Sequence, residues 1–370
     1  MRSVEEARPR PGLSVPVVTV LDGQGEGAAL AEADQRALVR FVVQDGYGAD
    51  IVFAAGTTGE WDRLDNALRQ RVVQVCTEEV AKCNAALGRS ERPIESWAGV
   101  TAPSAAETLA NLDFAISCGA DAAVLAPLSI SGLDDPVRFV AREVADLLDA
   151  RERRIPIYLY DNADIAVDPR VPHIRTRQVK AMSRLDFVRG IKVSASRKVL
   201  GNYTRAAAGF RERGEFGIYV GNAMLIFDLY RPRTGLRGAL SERWQRWRIR
   251  GGLPIGVVAG PANAMPREWA RAWQVCRAGD AERMEAARGV VKDFSRCCRT
   301  PAGKRSIACL KRALKAMGVI ESDAVAPGTP ALLPEHALAF DAAFGALRGR
   351  VEGALGPLWS SRPPGSGGTA

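Results

Sequence analysis

Eight short apolar segments, each followed by a longer amphipathic stretch, recur along this chain at intervals of about 30 residues. This pattern predicts parallel β-strands that are joined by helices, and eight such units form a (β/α)8 TIM barrel. The alternative is a doubly wound open sheet, which is disfavoured because no Gly-x-Gly-x-x-Gly motif follows the first strand. The predicted strands are residues 13–20, 50–55, 94–100, 120–126, 155–160, 187–192, 216–220 and 254–259.

The predicted barrel spans residues 13–265 and is followed by a C-terminal helical region at residues 266–350. An insertion at about residues 231–252 contains Trp244 and Trp247 and separates strands seven and eight. We expect this insertion to be a lid, an oligomer contact or a plain surface helix. Residues 1–12 and 356–370 have the composition of disordered tails.

Composition and charge exclude several classes of protein. Of the 370 residues, 47% are hydrophobic and 25% charged, which is typical of a globular protein. No apolar run approaches the length of a membrane span, and the charged N-terminus lacks the apolar core of a signal peptide. We therefore expect a cytoplasmic protein with no membrane partner.

The net charge of +9 comes from scattered basic residues, so we expect an anionic substrate rather than nucleic acid. Only two histidines are present, His173 and His336, which makes a zinc site or a Ser-His-Asp triad improbable. The seven cysteines include no Cys-x-x-Cys pair and are expected to be reduced thiols. We predict neither a metal site nor a cofactor.

Lys192 closes the sixth apolar segment, in a chain that has 8 lysines among 51 basic residues. Burying an ammonium group is costly, so a lysine at this position indicates a need for an amine that can lose its proton. A neutral amine can attack a ketone and form a Schiff base. The alternative is a lysine whose side chain extends from the strand end into water.

Other candidate residues follow neighbouring predicted strands. Tyr160 ends strand five, one unit before Lys192, so the two should lie on adjacent strands roughly 4.8 Å apart. Tyr160 is predicted to move protons to and from the substrate. Gly56, Thr57 and Thr58 follow strand two, where backbone amides and hydroxyls can hold a carboxylate.

Two further predictions concern residues that bind substrate. Gly221 and Asn222 follow strand seven at the same edge of the barrel, and we predict that they bind substrate. Asp161, Asn162 and Asp164 either contact substrate hydroxyls or hydrogen-bond within their own loop.

Four motifs in order resemble the dihydrodipicolinate synthase/N-acetylneuraminate lyase family of class I Schiff-base aldolases, over about residues 14–342. They are the Gly-Thr-Thr-Gly-Glu loop at 56–60, Leu-Tyr-Asp-Asn at 159–162, Gly-Ile-Lys at 190–192, and Gly-Val-Val-Ala-Gly at 256–260 with Asn263. The resemblance implies a TIM barrel with extra C-terminal helices, usually a homotetramer. It also implies that pyruvate or another 2-keto acid binds as an iminium on Lys192.

The sequence departs from the family pattern where the second substrate would bind. Residues 161–165 contain no arginine, although the synthases have one shortly after the catalytic tyrosine. Residues 126–130 lack the tyrosine that joins a proton relay in those enzymes. The residues that would form the iminium are kept, whereas the residues that would select the second substrate differ from those of the synthases.

The sequence therefore predicts a lyase or aldolase that makes or breaks a carbon–carbon bond between a 2-keto acid and an aldehyde. One alternative is a dehydratase that uses the same iminium to expel water from a keto-deoxy sugar acid. The other is an inactive barrel that only binds a ligand. The expected partners are the small-molecule substrates and further copies of the chain.

Overall fold

A computed structural model describes residues 8–87, 93–206, 215–231, 253–300 and 303–360. Eight parallel strands form a closed barrel in chain order, as the sequence predicted. Ser14 pairs with Ile51 on one side and with Val258 on the other, and this closure excludes the open sheet. The strands are β1 Gly12–Pro16, β2 Ile51–Ala54, β3 Glu95–Gly99, β4 Ala122–Leu125, β5 Ile157–Asn162, β6 Val188–Ser194, β7 Gly217–Val220 and β8 Gly256–Val258.

Helices connect the strands and form the outer layer of the barrel. Helix α3 begins at a Ser104 cap, whose side chain accepts a hydrogen bond from the backbone of Glu107, as predicted from their spacing. Helix α4 contains a π-helical stretch at Val140–Val144. The helices that alternate with the strands are α1 Glu32–Val43, α2 Asn66–Leu87, α3 Ala105–Ser117, α4 (Pro136–Phe139, Val140–Val144 and Ala145–Asp149), α5 Thr176–Met182, α6 Arg197–Ala206 and α7 Ile226–Leu229.

Four helices follow the barrel: α8 Pro266–Ala278, α9 Ala281–Cys297, α10 Ser306–Ala316 and α11 Pro334–Ser360. A short antiparallel pair, β9 Arg299–Thr300 and β10 Gly303–Lys304, lies between α9 and α10. Helix α11 extends into the segment that was predicted as a tail from residue 356. Residues 232–252 of the predicted insertion lie outside the described residues, as do 1–7 and 361–370 of the predicted tails. Within the described ranges, every helix is too short or too polar to span a lipid bilayer.

Three strands end two or more residues away from their predicted ends, each for an identifiable reason. Strand β1 ends at Pro16 because the backbone N–H groups that follow it bond to side chains instead of to a neighbouring strand. The N–H of Val18 donates to Asn263 Oδ1, and that of Val20 donates to Gln35 Oε1. Strands β5 and β6 each extend two residues further than predicted, because the two added pairs continue their ladder.

The core has two parts, one between the barrel and its helices and one inside the barrel. Inside the barrel, the rings of Trp97 and Tyr158 stack with centroids 4.0 Å apart. Tyr219 packs edge-on against both rings, at 5.1 Å and 5.5 Å. These aromatic side chains fill the barrel interior below Tyr160, so the carboxyl ends of the strands are left as the place for a site.

Candidate active site

Strands β5 and β6 bring the two predicted catalytic side chains together. Tyr160 pairs with Lys192 in the ladder, so both side chains lie on the inner face of the barrel. The Lys192 side chain is buried, with the residue 5% exposed. Its Nζ lies 3.8 Å from the centroid of the Tyr160 ring and 4.9 Å from that of Phe53 on β2. The amine is therefore held between two aromatic faces rather than extended into water, the alternative that the sequence left open.

The hydroxyl of Tyr160 has three polar neighbours. Asn162 Nδ2 donates to it at 3.1 Å, and the Ser194 hydroxyl donates at 3.4 Å. The Thr57 hydroxyl lies 3.3 Å away, where either oxygen can be the donor. Burial alone would raise the pKa of Tyr160, but the charge of Lys192 and the bonds from Ser194 and Thr57 lower it below the usual value.

The loop after β2 presents backbone amides beside Tyr160. Gly56 precedes a 3-10 turn at Thr57–Gly59, and the N–H groups that begin such a turn have no acceptor within it. A Cβ at Gly56 would lie 2.8 Å from the Phe53 ring, so only glycine fits here without displacing that ring. Gly56 and Thr57 therefore line the site.

Thr58 lies on the side of the turn that faces the loop after β8. A Cβ at Gly260 would lie 3.2 Å from the Thr58 hydroxyl oxygen. The structure thus places Gly56, Thr57 and Tyr160 in one pocket and puts Thr58 next to it, against the β8 loop.

Buried contacts fix this loop in place. The Thr19 hydroxyl donates to the carbonyl of Gly59 at 2.8 Å. The Glu60 carboxylate accepts from Lys311 Nζ of α10 at 2.6 Å, and neither side chain is exposed. The other Glu60 oxygen accepts from the backbone N–H of Ala326 at 2.8 Å. Burial lowers the pKa of Lys311, against the opposing effect of the Glu60 charge. Glu60 is therefore occupied in holding the loop.

The two predicted residues after β7 are placed differently from each other. A Cβ at Gly221 would lie 2.1 Å from the Ser194 hydroxyl oxygen, so glycine at this position leaves room for Ser194 beside Tyr160. Asn222 is exposed, and its side chain does not cap the 3-10 turn that follows it. Gly221 thus borders the site through Ser194, whereas the exposed side chain of Asn222 makes no hydrogen bond to a described residue of the site.

Asp161 faces the opposite side of β5 from Tyr160. Its carboxylate accepts from the backbone N–H of Ile174 at 2.7 Å and lies 2.9 Å from His173 Nδ1. Desolvation raises the pKa of Asp161, although these hydrogen bonds oppose it. Asp161 therefore holds the loop that leads to α5, which is the local role that the sequence left open for it.

A pocket with about 230 Å³ of space open to solvent lies at the mouth of the barrel, directly over Tyr160. Lys192 lies beside this pocket, against two of the rings that form its wall. In the described part of the chain, no group of three potential ligands is arranged to hold a metal ion. The pocket is lined by Phe53, Ala55, Gly56, Thr57, Trp61, Gly99, Thr101, Val124, Ala126, Tyr160 and Ile165.

Sequence reasoning missed Ser194 as a residue of the site and did not connect Asn162 to Tyr160. Each lies two residues after a predicted catalytic residue, and positions i and i+2 of a strand share a face. The available signal was this spacing, which becomes informative only if the strands continue past Tyr160 and Lys192. Trp61 and Lys311 carried no comparable signal, because their positions depend on contacts between distant segments.

The sequence is similar to two curated proteins. It is 30% identical over 185 residues to two uncharacterized DapA-like lyases of Halobacterium salinarum strains. The alignment covers 50% of this chain and 53% of each relative, so the chain spans about half the length of the curated relatives it matches. No protein-family model matches the chain.

Solved structures share the fold over nearly the whole chain. Dihydrodipicolinate synthase from Bacteroides thetaiotaomicron matches with a TM-score of 0.70 and 20% identity, covering 92% of this chain and 99% of that one. YagE, a prophage protein of the dihydrodipicolinic acid synthase family from E. coli K12, matches with a TM-score of 0.69 and 17% identity, covering 91% and 98%. This chain is therefore similar in sequence to DapA-like lyases over about half its length, and it shares its barrel fold with dihydrodipicolinate synthase structures.

Proposed function

We propose that this chain is a Schiff-base-forming lyase of the aldolase type that acts on a 2-keto acid such as pyruvate. The observation that carries the proposal is the pairing of buried Lys192 with Tyr160, whose hydroxyl is hydrogen-bonded to the Gly-Thr-Thr-Gly-Glu loop. A buried amine beside a phenol of lowered pKa supplies a nucleophile and a proton carrier at one point.

The proposed reaction uses Lys192 as the nucleophile. Its amine adds to the keto carbon, and loss of water leaves an iminium on Nζ. The iminium withdraws electrons, so the bond between C3 and C4 of a 4-hydroxy-2-keto acid can break and release an aldehyde. The resulting enamine takes a proton at C3, and water then releases pyruvate. The reverse sequence adds pyruvate to an aldehyde.

Tyr160 is the proposed proton carrier for these steps. Its hydroxyl can protonate the leaving water and accept the proton of the C4 hydroxyl as the carbon–carbon bond breaks. In the family, a second tyrosine assists in proton transfer, and this chain has none at residues 126–130. Asn162 and Ser194 hydrogen-bond to the Tyr160 hydroxyl and are proposed to orient it instead.

The carboxylate of the keto acid is proposed to bind the loop after β2. The backbone amides of Thr57 and Thr58 begin the 3-10 turn and are available as donors. YagE, one of the structural relatives, was solved in complex with pyruvate, which supports a keto acid as the substrate. Assembly into a homo-oligomer is proposed by analogy with the family only.

Exchange of the methyl protons of pyruvate with deuterium oxide tests this function without any knowledge of the aldehyde. Enamine formation on Lys192 should exchange these protons, as followed by proton NMR. We expect exchange with the wild type, none above background with Lys192→Ala, and a rate lowered by about 100-fold or more with Tyr160→Phe. No exchange with the wild type would favour the barrel that only binds a ligand.

A further inference from the structure

The pocket beyond Tyr160 has a wall of uncharged and mostly apolar side chains. At the ends of β2 to β5 it is formed by Phe53, Trp61, Thr101, Val124, Ala126 and Ile165. Among the described residues that line it, none is an aspartate, glutamate, lysine, arginine or histidine. Trp61 belongs to this wall and is only 6% exposed, so most of its indole surface is covered by neighbouring residues.

The polar groups of this wall already have partners. The Thr101 hydroxyl oxygen accepts from the backbone N–H of Ala126 at 2.8 Å. The Thr101 carbonyl accepts from Arg69 at 2.9 Å. The Thr57 hydroxyl lies within hydrogen-bond distance of Tyr160. A ligand that enters the pocket past Tyr160 therefore meets few free donors or acceptors among the described residues.

Arg69 is near the pocket but is not part of its wall. Its guanidinium carbon lies 6.0 Å from the centroid of Trp61, and its nitrogens donate to the Thr101 carbonyl and to Asn66 Oδ1 at 2.6 Å. Arg69 is 4% exposed, so it could reach an anion in the pocket only by breaking these bonds. A carboxylate or phosphate placed against this apolar wall, away from the amides of Thr57 and Thr58, would lose its water without gaining a partner.

We propose that the second substrate of this enzyme is a small, uncharged aldehyde whose substituent is apolar, such as a single aromatic ring or a branched alkyl group. This inference rests on the proposed function, because it assigns the part of the substrate that does not become the keto acid. The enamine carbon attacks the carbonyl carbon of the aldehyde, the new bond forms between them, and the aldehyde oxygen takes a proton from Tyr160. Pyruvate and the aldehyde thus give a 4-hydroxy-2-keto acid.

The size of the pocket limits the aldehyde further. The space of about 230 Å³ includes volume that is open to solvent, so the enclosed part of the pocket is smaller than this. The keto acid occupies part of this space. The wall therefore suits benzaldehyde or isobutyraldehyde better than a long chain or a fused ring system.

A panel of aldehydes with pyruvate tests the assignment. Benzaldehyde and isobutyraldehyde are the apolar members, glyceraldehyde is uncharged and hydroxylated, and succinic semialdehyde is anionic. We expect kcat/KM for the apolar aldehydes to exceed that for succinic semialdehyde by about 100-fold or more. Equal or better use of glyceraldehyde or succinic semialdehyde would overturn the proposal.

Two matched variants distinguish the effect of a charge in the pocket wall from the effect of the same charge near the pocket. Ile165→Arg places a cation in the wall and should raise kcat/KM for succinic semialdehyde while lowering it for benzaldehyde. Val167→Arg adds the same charge two residues away at a side chain that is 53% exposed and does not line the pocket, so it should leave the preference unchanged. If both variants shift the preference alike, or neither does, the wall does not determine specificity.

Deuterium exchange into pyruvate distinguishes failure of this proposal from failure of the proposed function. If exchange occurs but no apolar aldehyde reacts, the enamine forms and the assignment of the aldehyde is wrong. If exchange does not occur, the Schiff-base function itself is wrong, and the assignment is wrong with it.

Discussion

At the scale of single residues, the hydroxyl of Tyr160 shows what the sequence could and could not predict. The spacing of one strand–helix unit predicted that Tyr160 and Lys192 are neighbours, and their pairing in the ladder agrees with it. The sequence did not reveal the contacts from Asn162 and Ser194, because the predicted strands ended too early. A lysine at a predicted strand end could also have extended into water, and only the packing against Phe53 and Tyr160 decides between the two.

Removing the Ser194 hydroxyl should change how activity depends on pH. The hydrogen bond from Ser194 is one of the contacts that lower the pKa of Tyr160, so Ser194→Ala should raise that pKa. If the Tyr160 phenolate acts as the base, the rising limb of the pH profile for exchange into pyruvate should then move to higher pH.

The rate of deuterium exchange, measured between pH 6 and pH 10, would reveal this shift. Ser196→Ala is the matched control, because Ser196 accepts from the backbone of Val199 on an exposed turn outside the site. An unchanged profile in Ser194→Ala, with only a lower plateau, would contradict a role for this contact in tuning Tyr160.

At the scale of elements, the loop after β2 depends on a helix that is far away in sequence. Eight strand–helix units and the Ser104 cap could be predicted, since they rest on local patterns. The attachment of Glu60 to Lys311 on α10 could not, because 251 residues separate them and neither lies in a pattern that indicates the other. The loop that is proposed to hold the keto acid is therefore fixed by the C-terminal helical region.

Breaking this ion pair should be costly. Lys311→Met would leave the Glu60 carboxylate buried without its counter-ion, and we expect it to lower the free energy of unfolding by roughly 3–5 kcal/mol. The double variant Glu60→Gln/Lys311→Met should recover part of this loss, because glutamine is neutral and can still accept from Ala326. Urea unfolding of the wild type, both single variants and the double variant gives the coupling between the two residues. Additive losses would show that the pair does not act as a unit.

At the scale of the whole molecule, the closed barrel separates the pocket at its mouth from a filled interior. Closure followed from counting eight units, but the aromatic filling by Trp97, Tyr158 and Tyr219 could not be predicted. A strand that is buried on both faces shows no alternation that tells inward from outward positions. For the same reason, the sequence did not indicate that Glu95 at the start of β3 is half-buried and accepts a hydrogen bond from the Trp97 indole.

Stability should fall as the pH rises through neutrality because of Glu95. Desolvation, opposed by a hydrogen bond from Trp97, raises the pKa of Glu95 from its usual 4.5 to about 7. The folded state then binds a proton on Glu95 more tightly than the unfolded state does. The contribution of Glu95 to stability is therefore fully present below about pH 4.5 and is lost as the pH rises through 7. The loss is at most about 3 kcal/mol.

Glu95→Gln should flatten this dependence, because glutamine keeps the acceptor for Trp97 and does not ionise. Urea unfolding at pH 6 and pH 8.5 should show the wild type losing stability between the two, and the variant losing less. The Asp121 and Asp161 carboxyls, whose pKa values are also raised by desolvation, remain in both proteins and so cancel in the comparison. Equal losses in the two proteins would exclude Glu95 as the cause.

The central claim is that Lys192 forms a covalent iminium with a 2-keto acid, and reductive trapping tests it most directly. The protein is incubated with pyruvate and sodium borohydride, and its intact mass is measured for the wild type and for Lys192→Ala. Peptide mapping then locates the modified lysine. We predict one pyruvate-sized adduct on Lys192 in the wild type and none in the variant. The absence of an adduct with pyruvate and with other 2-keto acids, or an adduct that persists in the variant, would contradict the claim.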